Sequence, residues 1–97
     1  MYIELLGTEY AVIIKKHALK RINQRNILPD LILTNLKNAE EILGDLKNGD
    51  KFIIIDSFGK ITIVGKMYYQ MIEIITVVDK GEDFFAKYAS DKVILIK

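Results

Sequence analysis

The sequence predicts an α+β domain: two N-terminal helices packed on an antiparallel β-sheet of about four strands, with a C-terminal helix–strand extension. Three observations lead there. Short β-rich stretches open the chain, a segment of helical periodicity follows, and the second half is dominated by β-branched and aromatic residues set between single glycines. At 97 residues, 51% of them apolar and 28% charged, the chain suffices for one hydrophobic core and is read as a single domain, 1–97.

Residues 2–6 and 10–14, the latter containing Val12-Ile13-Ile14, are β-rich and separated by Gly7-Thr8-Glu9, so they read as a hairpin or a broken strand. From residue 16 to 26 the period becomes helical. Taking about 100° per residue and His17 as zero, Arg21 lies near 40°, Arg25 near 80°, Gln24 near 340° and Ile22 near 140°. Ala18, Leu19 and Ile22 therefore form an apolar side, and His17, Lys20, Arg21 and Gln24 a polar, cationic one.

Pro29 disfavours helical geometry at Leu28 and suits the first turn of a new helix, so the break falls at residues 26–30. The second helix runs from about residue 30 through Ile32, Leu36, Ala39 and Leu43, with a turn near Asn38, and stops at Gly44 or at Lys47-Asn48-Gly49-Asp50. Residues 52–56 and 60–65 flank Ser57-Phe58-Gly59 and predict a hairpin. A connection through residues 66–69 leads to a strand over 70–78. Its run Ile74-Ile75-Thr76-Val77-Val78 is apolar on both faces, as in the middle of a covered sheet. Residues 81–89, with Phe84, Phe85 and Tyr88, predict a short helix, and 92–96 an edge strand.

Composition excludes much chemistry. With no cysteine and one histidine, disulfides, thiolate nucleophiles and a metal site of His or Cys ligands are ruled out for this chain. The six glycines are scattered singly, so there is no phosphate-binding P-loop, and no cofactor or metal is expected. The first residues lack a basic leader and no apolar run approaches the roughly 20 residues that span a bilayer, so a cytoplasmic protein without membrane contact is expected. The net charge of +1 conceals an uneven distribution. Lys15, Lys16, Lys20, Arg21 and Arg25 follow one another with no acid between Glu9 and Asp30, whereas Glu40, Glu41, Asp45 and Asp50 cluster later against Lys47.

The candidate site is the first helix. His17, Arg21 and Arg25 stand at i, i+4 and i+8: an imidazole that exchanges protons near neutrality and two guanidinium groups that hold a phosphate and stabilise a phosphorane. This suits RNA cleavage by 2′-hydroxyl attack without a metal. Lys16, Lys20 and Gln24 extend the face, and Lys66, Tyr68, Tyr69 and Thr76 are the candidates for the remaining contacts, a tyrosine stacking on a base. Each feature also has a plainer origin. A cationic helix face is commonly a solvated surface, and sheets favour tyrosine and threonine for packing alone.

The stretch His17-Ala18-x-x-Arg21-x-x-x-Arg25-x-Ile27 resembles the signature of a bacterial and phage domain family of unknown function. Its members open with a strand, place this motif on a helix, add a second helix and close with a β-meander. Ile74-Ile75-Thr76-Val77-Val78 is similar to the family's closing I-T-V strand, and the resemblance spans roughly residues 10–79. That family in turn resembles the RelE/ParE-like toxins and the wider barnase, EndoU, colicin and RelE nuclease fold. The resemblance implies a RelE-like endoribonuclease toxin of a toxin-antitoxin or phage system, acting on RNA or the ribosome, with a cognate antitoxin or another protein as partner. It carries His17, Arg21 and Arg25 onto the motif and Thr76 onto the closing strand. The near-neutral charge and the extension over 80–97 depart from the pattern. They fit the alternative, a non-enzymatic phage inhibitor or adaptor built on an inactive nuclease fold, with a protein partner or a homodimer.

Overall fold

The computed structural model describes residues 1–56, 61–78 and 92–96. Strands β1 (Tyr2–Leu5) and β2 (Thr8–Ile14) form an antiparallel hairpin. Its two-residue turn, Leu6-Gly7, has positive φ at both positions, 50° and 81°, the pattern whose twist matches that of the flanking strands. Leucine rarely adopts this conformation.

Helix α1 (Lys16–Gln24) follows and buries Ala18 and Ile22. It ends two residues earlier than the periodicity predicts, because Asn26 turns left-handed at φ 53°. The Ile27 N–H then reaches back to the Ile22 carbonyl at 3.0 Å and the Asn26 N–H to Asn23, a Schellman closure. Helix α2 (Pro29–Asn38) has Pro29 in its first turn and Asp30 at the positive end of its dipole. The predicted turn near Asn38 falls at Ala39, which separates α2 from the short α3 (Glu40–Gly44).

The remaining strands are β3 (Lys51–Asp56), β4 (Ile61–Tyr68), β5 (Met71–Val78) and β6 (Lys92–Ile96), and the sheet order is β1-β2-β5-β4-β3-β6. This corrects the expectation of about four antiparallel strands. The sheet is six-stranded and mixed, because β2 pairs with β5, and β3 with β6, in parallel. For the first of these pairs the helices supply the crossover: they return the chain along the sheet after β2, so β3 starts at the same end as β2. The strand over 92–96 does lie at an edge. Residues 57–59 and the helix expected at 81–89 fall outside the described residues.

A second correction concerns the link between β4 and β5. Residues 66–68 belong to β4, and the turn is Tyr69-Gln70, with Gln70 at φ 56° and Tyr68 paired to Met71.

All three helices contribute to one core, together with Leu5, Val12, Phe52, Ile54, Ile61, Ile63, Met67, Ile72, Ile74 and Val77 from the sheet. Ile53, Ile55 and Val64 form a smaller buried cluster on the sheet's opposite face. The register shifts at Val64/Gly65. Val64 pairs with Thr76 and Gly65 with Ile74, so Ile75 is an extra residue in β5. This bulge keeps both Ile74 and Val77 on the helix side. It also moves Thr76, which strict alternation would place beside Ile72 and Ile74, to the face of Val64.

Candidate functional site

Helix α1 begins without a side-chain cap and without an acid in its first turn. Lys15 occupies the cap position, and Lys16 and His17 come next, where the helix dipole ordinarily attracts carboxylates. Lys16, His17, Lys20 and Gln24 are all exposed, on the side of α1 turned away from Ala18 and Ile22. Arg21 is half-buried at the border of the apolar side. Arg25 is exposed and already engaged within the protein. Of the flanking cations, Lys15 turns back toward Glu73 of β5, with its ammonium 3.8 Å from the carboxylate. The rest of the outward face is thus rich in positive charge and hydrogen-bond donors, with Lys16 and His17 at the positive end of the helix, Lys20 one turn on and Gln24 at its last position.

The other sequence candidates lie elsewhere. Thr76 is on the sheet face opposite the helices, beside Val64. Lys66 shares that face by alternation along β4 and sits in register between Lys51 and Glu73. Tyr68, at the end of β4, and Tyr69, in the turn, stand at the end of the sheet from which β2 starts. The structure therefore brings Lys16, His17, Lys20, Arg21 and Gln24 together on one helix. It does not bring Thr76, Lys66, Tyr68 or Tyr69 to them.

Tyr68 and Tyr69 belong instead to a cleft of about 410 Å³ between the β4–β5 turn, the start of β2 and the loop after α3. Its floor is formed by Tyr10, Leu46 and Met67, and its rim by Thr8, Lys47, Asn48, Tyr69 and Gln70. Sequence reasoning read residues 47–50 only as a helix stop. Which turn faces them depends on the long-range register, so the cleft leaves no local signal beyond the Asn48-Gly49-Asp50 turn itself.

Among the described residues no group of three His, Cys, Asp or Glu side chains converges as a metal site, and no helix is long and apolar enough to cross a membrane.

The edge of the sheet at β1 carries a clasp of its own. The Val12 N–H donates to the Met1 carbonyl, so odd residues of β1 face β2 and the backbone groups of Tyr2 and Glu4 point outward. The Lys37 ammonium donates to the Glu4 carbonyl at 3.0 Å, and the Glu40 carboxylate accepts from the Leu6 N–H at 3.1 Å. Lys37 and Glu40 also pair with each other at 2.9 Å. The hydrogen bond from Lys37, then that from Leu6, hold the Glu40 carboxyl below the usual carboxylate range. Side chains of α2 and α3 thus cover part of an edge that would otherwise invite another strand.

No family model, curated protein or solved structure matches this chain.

Proposed function

We propose that the protein acts on RNA through the outward face of α1, as a metal-independent RNA-cleaving toxin of the RelE-like kind. The observation that carries this reading is the α1 N-terminus, uncapped and with no acid in its first turn, with Lys16, His17 and Lys20 exposed along it. Unpaired helix N–H groups and clustered cations favour a polyanion, and a phosphodiester is the polyanion on which a neighbouring imidazole can do chemistry. The order of elements supports the same reading in a general way. A strand, two helices and a meander of β3, β4 and β5 follow one another as the resemblance implies. In this mechanism His17 exchanges the proton of the attacking 2′-hydroxyl or of the leaving oxygen, and Arg21 stabilises the phosphorane.

A second reading, a non-enzymatic interaction module on the same scaffold, is favoured by one observation: Thr76 lies across the sheet from His17. One experiment separates the two. Expression in a bacterial host, with RNA cleavage measured in the presence and absence of ribosomes, should show growth arrest and cleavage for the wild type. Both should be lost in folded His17→Ala and Arg21→Ala. Normal growth with soluble wild-type protein, and no cleavage in either condition, would leave the module reading.

A further inference from the structure

The geometry points to the cleft at the β4–β5 turn as a binding site for a nucleobase and its phosphate, with Tyr69 as the stacking platform and Lys47 as the phosphate contact. The inference deepens the RNA reading of α1 and rests on it for the choice of ligand.

The backbone of the cleft is tied down by hydrogen bonds, while several of its side chains are left to face solvent. On one wall, the Tyr69 N–H is held by Asn48 Oδ1 at 2.9 Å, and the Gln70 carbonyl accepts from the Ala11 N–H at 3.0 Å. On the other wall, Asp50 Oδ2 accepts from the Lys47 N–H at 2.7 Å, and the Gly49 N–H donates to the Met67 carbonyl at 2.6 Å. A turn and a loop distant in sequence are thereby tied together. Yet Tyr69, whose backbone is so firmly placed, is 84% exposed. Among the described residues, the Lys47 ammonium and the Gln70 carboxamide have no hydrogen-bond or ionic partner.

These groups define a ligand. Tyr69 offers a flat π-face, on which any base can stack. The Gln70 carboxamide and the free amino group of Asn48 can meet the donors and acceptors of a base edge. Lys47 supplies a positive charge, and the carboxylate beside it, Asp50, is turned into its own loop, where it accepts from the Lys47 N–H, so the ammonium is left to meet an anionic ligand. Its volume of about 410 Å³ is that of a small-ligand site. The Tyr69-Gln70 turn sits beside Ala11 of β2, and the four residues from there to Lys15, about 13 Å of strand, separate it from the N-terminus of α1. A single strand of RNA can reach both, whereas a mononucleotide occupies only the cleft.

The test is a backbone amide NMR titration of the whole protein with uridine monophosphate and with a uridine hexanucleotide, repeated on Tyr69→Ala and Lys47→Gln. The expected result is that Asn48, Tyr69 and Gln70 shift with both ligands and α1 only with the hexanucleotide. Tyr69→Ala should weaken hexanucleotide binding about tenfold, with an otherwise unchanged spectrum. If α1 responds to the hexanucleotide and the cleft does not, the cleft proposal is overturned and the reading of α1 stands. If the cleft responds to both ligands and α1 to neither, the cleft stands and the α1 reading fails. Silence of both sites toward both ligands overturns both.

Discussion

Asn35 Nδ2 donates to the Asp56 carboxylate at 3.0 Å inside the core, where the two residues are 1% and 6% exposed. The same amide also donates to the Leu31 carbonyl one turn earlier at 2.9 Å, and this joins α2 to the end of β3. Among the described residues Asn35 Oδ1 finds no partner. The amide is therefore committed as a donor, and what it satisfies is a carboxylate withdrawn from water.

Asn35→Ala removes that donor and is expected to destabilise the protein by about 1–3 kcal/mol, measured by urea denaturation at neutral pH. Asn35→Asp should cost more, since it sets two carboxylates against each other.

Gly65 fits against the ring of Phe52. A Cβ there would lie 2.5 Å from Phe52 Cζ and 2.6 Å from the Glu73 carbonyl oxygen, the second a backbone atom with little freedom to move. Gly65→Ala is expected to cost at least about 1–3 kcal/mol by the same measurement. Gly49→Ala, in open space but at φ 90°, should cost about 1 kcal/mol through backbone strain alone.

Much of the fold was legible in the sequence because it is written in local signals. Pro29 and the period of Ala18 and Ile22 act within a few residues, and so does the break between the first two strands, although its turn falls at Leu6-Gly7 and not over residues 7–9. The directions of the strands were not legible, since nothing in β2 or β5 states that they pair in parallel. The site divides in the same way. The cationic face of α1 follows from periodicity, but the bulge at Ile75 arises from register against Gly65 and sends Thr76 to the other face. The cleft was missed for the same reason, because Lys47 and Tyr69 meet only through pairing across the sheet.

The Glu40 clasp predicts an acid dependence. Because its carboxyl titrates below the ordinary range when folded, its contribution is fully present above the unfolded pKa. It is lost as pH falls through the lowered folded value. Glu40→Gln should therefore be less stable than wild type at neutral pH and converge on it in acid, as read from thermal midpoints across pH. Glu40 is solvent-accessible and the effect should weaken in high salt.

The central claim is that the outward face of α1 engages RNA phosphates. It is tested most directly by the salt dependence of single-stranded RNA binding, measured by fluorescence anisotropy for the wild type and for Lys16→Gln/Lys20→Gln. The account predicts wild-type affinity that falls steeply with salt, and a double variant whose log–log slope is shallower by about 1.4, roughly 0.7 for each lost phosphate contact. A wild-type affinity indifferent to salt, or a slope unchanged by removing both lysines, would contradict it.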